Sequence, residues 1–249
     1  MRLQLISDLH TEFRRGGELA FIQYLPIEKG LDFLVVAGDL VVFAEQGEVI
    51  IKAIFGAISE MARHVIYVTG NHEYYGSTKE WAEEQLREVL SLYPNIHWLD
   101  NSEITLDGVH FVGGSMWYPD VDGLNYVKMY MRMMNDFYAI KLFDWAEREN
   151  TRFNAFVNGY AGQDTIVVTH HLPHPRCTPL EFVHSALNRY FVSDQSWTLA
   201  TRKPKLWLFG HTHREYDGQL SETRLVCNPF GYPGERNSKN PYKAVVFDV

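Results

Sequence analysis

Short, uninterrupted apolar runs rich in Val, Ile and Leu recur along the chain. Runs of this kind predict strands that are buried on both faces of a sheet. Two intervening stretches, residues 45–63 and 78–92, instead carry apolar residues at three-to-four spacing, which predicts helices. The alternation of strand and helix predicts an α/β fold. The predicted buried strands cover residues 3–6, 33–37, 65–69, 166–169 and 206–209.

A different pattern predicts a second sheet. Residues 96–99, 103–106 and 109–112 form three further short runs, and Asp107-Gly108 between the last two is a hairpin turn signal. Residues 223–227 and 243–249 have the same strand character. A second, partly antiparallel sheet packed on the first accounts for these runs. Because no repeat or linker divides the chain, residues 1–249 are predicted to form one domain.

Polar residues with metal-binding side chains follow five of the apolar runs. In an α/β sheet the loops at the carboxyl ends of strands converge on one crevice, so these side chains are expected to meet there. Carboxylate, amide and imidazole groups suit Mn, Fe or Zn, and a carboxylate at position 39 could bridge two ions. Each motif is weak alone, but their joint occurrence predicts a two-metal site. The residues concerned are Asp8, His10, Asp39, Asn71, His72, His170, His211 and His213.

Composition and charge narrow the range of functions. The chain is 46% hydrophobic and 22% charged, which is ordinary for a globular protein with a core. Its formal net charge of -8 and its lack of a basic run disfavour an extended nucleic acid as partner. The two cysteines, Cys177 and Cys227, form neither a disulfide framework nor a zinc motif, and we expect them to be reduced and packed.

The first apolar run of the chain stops early. Arg2 stands where the apolar part of a signal peptide would begin, and the run ends at Asp8. It is therefore too short for a signal sequence or a membrane span. This pattern predicts a cytoplasmic protein without a membrane partner.

The motif order resembles that of the calcineurin-like metallophosphoesterase superfamily. The motifs are Asp8-Leu9-His10, Gly38-Asp39, Gly70-Asn71-His72-Glu73, His170 and Gly210-His211-Thr212-His213, which together cover nearly the whole chain. The resemblance implies an α/β fold in which a two-sheet mixed β-sandwich is flanked by helices, with the metals at one edge. It also implies two ligand sets: Asp8, His10, Asp39 and His213 for one ion, and Asp39, Asn71, His170 and His211 for the other.

The resemblance implies a hydrolytic mechanism as well. His72 matches the superfamily's non-ligand histidine, which stabilises charge or protonates the leaving oxygen. Asp39 matches the bridging ligand and counts with His72 among the catalytic residues. A metal-bridging hydroxide, available at neutral pH because the metals lower the pKa of water, would attack phosphorus.

One departure from the superfamily's patterns and one further resemblance refine the assignment. Protein phosphatases of the superfamily continue the Gly-Asp motif to Asp-Arg, whereas Gly38-Asp39 here runs into an apolar segment. This favours the branch that does not act on proteins. Residues 227–235 resemble the strand and turn that follow the last metal motif in small bacterial and phage members.

The substrate side of the site has less specific signals. His170 and His171 are adjacent, and strand alternation lets only one face the metals; the superfamily pattern favours His170. His171 then lies behind the ligands or on the substrate side, with Tyr74 and Trp117 as further substrate-side candidates. Residues 118–140 contain a Met-rich run at 129–134, which is either a helix packed in the core or an insertion that shapes substrate binding.

These observations predict a hydrolase of small phosphate esters that uses two metal ions and prefers a phosphodiester to a monoester. Within the enzymes, the alternative is a nuclease. Outside them, the alternative is a non-catalytic metal-binding scaffold that keeps the same fold.

Overall fold

The computed structural model describes residues 1–249, and its first sheet has five strands in the order β11-β1-β2-β3-β4. The strands β1 to β4 run parallel, and β11 pairs with β1 in antiparallel orientation. Three of the predicted apolar runs form β1, β2 and β3, whereas the runs at 166–169 and 206–209 lie in the second sheet. The runs at 96–99 and 243–249, predicted for the second sheet, lie in this one. The bounds are β1 Arg2–Ile6, β2 Leu31–Ala37, β3 Ala62–Val68, β4 Ile96–Trp98 and β11 Val245–Asp248.

The second sheet has six strands in the order β5-β6-β7-β8-β10-β9. Its outer pairs, β5 with β6 and β9 with β10, are antiparallel, and the strands between them run parallel. The predicted turn joins β5 to β6, with Asp107 and Gly108 both at positive φ, as a tight hairpin requires. The bounds are β5 Ser102–Leu106, β6 Val109–Gly114, β7 Thr165–Thr169, β8 Leu206–Phe209, β9 Tyr216–Leu220 and β10 Thr223–Cys227.

Both sheets bury the faces that meet. Leu5 and Val35 of the first sheet belong to one buried cluster with Phe111 and Val168 of the second. The alternate residues of the first sheet, such as Val36, pack instead into a cluster shared with the helices. Burial on both faces explains why the runs are mostly apolar, with Gln4, Thr69 and Thr169 as exceptions. Two mixed sheets flanked by helices confirm the predicted fold class.

Seven helices cover the sheets or the edge that carries the site. The Thr78 hydroxyl caps α3 by accepting a hydrogen bond from the Trp81 amide. The helix predicted over 45–63 is shorter in the structure, because Ala62 already pairs with Leu31 in the first sheet. No helix has both the length and the apolar character needed to cross a membrane. The bounds are α1 Glu18–Gln23, α2 Glu48–Ser59, α3 Lys79–Leu90, α4 Lys128–Met131, α5 Asp136–Ala139, α6 Ala146–Tyr160 and α7 Ser196–Thr201.

Two irregular segments pack against each other beside the carboxyl ends of the strands. One, residues 118–140, contains the short helices α4 and α5, and the other, residues 178–191, contains two 3₁₀ turns. Arg189 joins them through two hydrogen bonds to the Asp122 carboxylate, of 2.8 and 2.9 Å. The Tyr190 hydroxyl adds a buried bond of 2.6 Å to the Asn125 carbonyl. The two segments therefore form one continuous wall.

Candidate metal centre

The seven predicted ligands lie together at the edge where the two sheets end. Asp8 and His10 follow β1, Asp39 follows β2 and Asn71 follows β3. The remaining three, His170, His211 and His213, follow β7 and β8 of the second sheet. The site is thus built from both sheets, as the strand-end positions predict.

The first group of ligand atoms comprises Asp8, His10, Asp39 and His213, whose atoms all lie within 4.8 Å of one another. The Nε2 atoms of His10 and His213 are 2.9 Å apart, and His213 Nε2 is 3.6 Å from Asp8 Oδ1. Nitrogen ligands bound to one ion at about 2.1 Å are about 3.0–3.4 Å from each other. The spacing fits a single ion.

The second group comprises Asp39, His170 and His211, together with Asn71. His170 Nε2 lies 3.1 Å from both Asn71 Oδ1 and His211 Nδ1. The Oδ2 atom of Asp39 is 3.4 Å from His170 Nε2 and 3.7 Å from His10 Nε2. One carboxylate oxygen therefore stands between the two groups, where a bridging ligand would be.

The histidines of these groups have their ring nitrogens oriented as metal ligands require. His10 donates its Nδ1 hydrogen to Glu12 at 3.1 Å, and His213 donates its own to Glu235 at 3.0 Å. His170 donates its Nδ1 hydrogen to the Ala37 carbonyl at 2.9 Å. Each bond directs the opposite nitrogen at the cluster, where it would bind a metal after losing any hydrogen it carries, which is the usual arrangement around a metal.

Charge and burial at the centre also suit a cation. The Oδ2 atom of Asp8 is buried without a hydrogen-bond partner. Burial alone would raise the pKa of Asp39, but the positive charges of His170 and His72 hold it well below its usual value. Burial alone would lower the pKa of His170, but the negative charge of Asp39 raises it to about 10. The two ligand groups therefore stabilise positive charge between them, and divalent ions would supply that charge.

Five of the seven ligand residues adopt left-handed backbone conformations that non-glycine residues rarely use. The φ angles are 52° for Asp8, 48° for His10, 54° for Asp39, 71° for His211 and 51° for His213. Such conformations cost about 1–3 kcal/mol each and persist at functional sites, where the surrounding structure imposes them. They turn the side chains towards the centre immediately after the strand ends.

Glycines before the ligands allow the strand ends to approach closely. A Cβ at Gly70 would overlap the Asp39 carboxylate, and one at Gly38 would overlap the His170 ring. Gly38 also has a φ of 85°, a conformation that favours glycine. The glycines of the sequence motifs therefore serve the contact between ligand loops.

His72 stands beside the ligands without belonging to either group of four. Its Nδ1 donates to Glu12 Oε1 at 2.8 Å, and its Nε2 lies 3.2 Å from the Tyr232 hydroxyl. Burial alone would lower the pKa of His72, but the charge of Asp39 and the hydrogen bond to Glu12 raise it to about 9. His72 is thus held as a proton donor whose Nε2 faces the cleft.

Three carboxylates outside the predicted set support the centre. Glu12 accepts from His10 and His72 with the same oxygen, while Glu235 orients His213. Glu73, fully buried, joins the ligand loops by accepting from the Leu40 and Gly70 amides at 2.7 Å each. Glu12 continues the alternation Asp8-x-His10, a signal that sequence reasoning missed. Glu235 has no such signal, because its partner lies on a different loop.

The segment 118–140 orients Asn71 through Asp136. Asp136 Oδ1 accepts a hydrogen bond of 2.8 Å from the Asn71 amide group and one of 2.7 Å from the Tyr75 hydroxyl. The nitrogen of the Asn71 amide is thereby held on Asp136, and its oxygen faces His170. Residues 118–140 therefore help to build the centre itself.

A cleft of about 340 Å³ opens above the centre. Met133, Met134 and Asn135 of the insertion line it. Met129 and Met133 are exposed, whereas Met134 is buried as a helix packed in the core would predict. Other lining residues include Asp39, Asn71, His72, Tyr75, Phe182, Leu187, Phe191, His211, His213, Arg214, Tyr232 and Glu235.

The three predicted substrate-side residues do not line this cleft. His171 is buried behind His211, with ring centroids 4.5 Å apart, and its Nδ1 donates to the Ser115 carbonyl. Trp117 is packed against Trp145 in the core, and the Tyr74 hydroxyl is hydrogen-bonded to Thr69. Strand alternation turns His171 away from His170, and Tyr74 points inward from a 3₁₀ turn. Tyr75 and Tyr232 line the cleft instead.

Comparison with known proteins adds the family, one relative and one solved structure with a similar fold. The model of a family described as calcineurin-like phosphoesterase matches residues 1–215. An uncharacterized protein, L509, of Acanthamoeba polyphaga mimivirus is 27% identical over 281 residues, covering 99% of this chain and 96% of that protein.

The fold is also similar to that of a solved structure. The phosphopantetheinyl hydrolase of Mycobacterium tuberculosis superposes with a TM-score of 0.73 at 18% identity, covering 98% of this chain and 95% of that one. At this identity the similarity shows a shared fold, with nearly all of both chains taking part.

Proposed function

The chain belongs to the calcineurin-like phosphoesterase family and is a metal-dependent phosphoesterase, and on that premise we propose that it hydrolyses small phosphodiesters with two metal ions. The position of Asp39 Oδ2 between His10 and His170 carries the two-ion part of the proposal. A pair of ions can bind both the attacking and the leaving oxygen of an in-line displacement.

Asp8, His10, Asp39 and His213 would hold one ion. Asp39, Asn71, His170 and His211 would hold the other. When bound, the ions supply positive charge that activates water and stabilises the phosphoryl oxygens. The donor set of oxygen and imidazole nitrogen, without thiolate, suits Mn, Fe or Zn.

His72 supplies the proton that the leaving alcohol needs. Glu12 holds its Nδ1, so the proton to be transferred is the one on Nε2, which faces the cleft. The Tyr232 hydroxyl beside Nε2 limits how the ring can turn. Asp39 also accepts a hydrogen bond of 2.9 Å from the His72 amide, which ties the donor to the ligand loop.

The charge of the cleft supports a diester over a monoester. Arg214 is the one Lys or Arg side chain that lines the cleft. Its Nε is 2.9 Å from Glu181, and its guanidinium lies 3.8 Å from Glu235, so acidic groups already offset its charge. A diester carries one negative charge and a monoester up to two near neutral pH. A diester therefore needs fewer cationic groups from the cleft than a monoester does.

A substrate panel tests this proposal. Protein stripped with chelator and reloaded with Mn, Fe, Co or Zn would be given bis(4-nitrophenyl) phosphate, 4-nitrophenyl phosphate, cyclic nucleotides and single-stranded DNA. We expect metal-dependent turnover, with the highest kcat/KM on the diester. Higher kcat/KM on the monoester would contradict the diester preference. Turnover of single-stranded DNA alone would replace the proposal with the nuclease alternative.

A further inference from the structure

A second, smaller cavity adjoins the catalytic cleft. It has a volume of about 170 Å³ and shares four lining residues with the cleft: Phe182, Leu187, Phe191 and Thr212. The two spaces are therefore neighbours, with side chains of these four residues bounding both.

This cavity has no charged lining residue, whereas the cleft has several. Leu172, Phe182, Leu187 and Phe191 supply its hydrophobic walls, and no Asp, Glu, Lys or Arg lines it. An apolar cavity of about 150 Å³ accommodates a benzene molecule. The volume therefore suits one aromatic ring or a short branched alkyl group.

The cavity lies next to the proposed ligands. The Phe191 ring packs on the His211 ring, with centroids 4.3 Å apart, and Thr212 stands in the chain between His211 and His213. A phosphoryl group at the metal centre would thus lie close to the side chains that bound the cavity.

Hydrogen bonds and an ion pair hold the cavity wall in place. The Leu172 amide donates to the Phe191 carbonyl at 3.0 Å, and the paired charges of Arg189 and Asp122 hold the surrounding segment against the insertion. A preformed wall avoids the entropy cost of ordering a loop on binding.

We propose that this cavity binds an apolar aryl or alkyl group of the substrate, which makes the substrate class phosphate esters of an apolar alcohol. The inference rests on the proposed function, since it places the reacting phosphoryl group at the metal centre. The acidic partners of Arg214 support it, because they leave the cleft without a free cation for further phosphates or carboxylates.

Two phosphonates test the cavity without requiring turnover. Phenylphosphonate and methylphosphonate carry the same charged head, so the difference between their affinities reports on the substituent alone. We expect the Mn-loaded protein to bind phenylphosphonate at least about ten-fold more tightly in isothermal titration calorimetry, as burial of an apolar group in a fitted pocket predicts.

A matched pair of variants locates the effect. Phe182 is 46% exposed and lines both cavities, whereas Leu180 is 89% exposed on the same 3₁₀ turn and lines neither. Phe182→Asn should reduce the preference for phenylphosphonate to under about three-fold while keeping the affinity for methylphosphonate. Leu180→Asn should leave both affinities unchanged.

The outcomes separate this inference from the proposed function. A preference below about three-fold in the unaltered protein, no binding of either phosphonate, or equal losses in the two variants would overturn the inference. Absence of ester hydrolysis together with the expected phosphonate preference would overturn the proposed function and leave the cavity assignment standing.

Discussion

The two sides of the catalytic cleft are built in different ways. The ligand side consists of buried residues at strand ends, held by left-handed backbone conformations and by carboxylates such as Glu12. The opposite side consists of residues 133–135 and 182–191, where half-exposed side chains such as Phe182 come from irregular segments. The sheet thus supplies the chemistry and the loops supply the shape, so substitutions on the two sides should affect different kinetic parameters.

The largest effect is expected at the residue shared by both ligand groups. Asp39→Asn removes the charge that would bridge the ions, so we expect less than one bound Mn per chain and a loss of at least about 10³-fold in kcat/KM. Metal analysis after dialysis and hydrolysis of bis(4-nitrophenyl) phosphate measure these changes. Asp164→Asn, at an exposed position, is the control. If the Asp39→Asn variant still bound two ions, Asp39 would not be the bridging ligand.

His72→Ala should separate proton transfer from metal binding. Because His72 lies outside both ligand groups, we expect the metal content to stay at two ions while kcat falls by about 10²- to 10⁴-fold. The loss should be greater with a phenyl leaving group than with 4-nitrophenyl, since the poorer leaving group has more need of the proton. A variant that loses its metals would show that His72 is a ligand.

Glu12→Gln should produce a weaker form of the same effect. Glu12 orients His72 and His10 without reaching the cleft, and residues in such supporting positions contribute about 10- to 100-fold. We expect a lower kcat, with the same dependence on the leaving group, at nearly full metal content. Glu45→Gln changes a surface carboxylate of the neighbouring pocket and should have no effect. Equal losses on both leaving groups would mean that Glu12 acts on structure alone.

The smallest effect is expected on the loop side. Met133 is 57% exposed and lines the cleft, and Met129, at 58% exposure, does not. Met133→Ala should raise KM about two- to five-fold with little change in kcat, because it removes contact area that binds substrate and transition state equally. Met129→Ala is the matched control. A loss confined to kcat would indicate that the insertion takes part in the chemical step.

The sequence predicted the fold class and the residues of the ligand side well, for a physical reason. Parallel strands buried on both faces are apolar throughout, so a polar residue directly after such a run stands out, and the geometry of a sheet brings these residues to one edge. Asp8 and Asp39 stand out through this pattern when the motifs are taken together, whereas His170 is distinguished from His171 by the superfamily resemblance. The left-handed conformations of Asp8 and Asp39 and the close contact of Gly70 with Asp39 could not be predicted in this way.

The loop side could not be predicted in the same way. Asp136 acts on Asn71 from 65 residues away, and no periodic pattern links them. Of the substrate-side candidates, Tyr74 directly follows the Asn71-His72-Glu73 motif, and Trp117 stands beside the segment 118–140. Their side chains point into the core, since irregular segments bury aromatic rings wherever space exists. Residues far apart in the chain, such as Met133 and Phe182, form the wall instead.

The number of ions bound per chain tests the central claim most directly. The protein would be stripped with chelator, dialysed against Mn and analysed by inductively coupled plasma mass spectrometry alongside the Asp39→Asn variant. A two-ion centre bridged by Asp39 predicts about two Mn per chain in the unaltered protein and fewer than one in the variant. One ion or none in the unaltered protein, or the same number in both proteins, would contradict it.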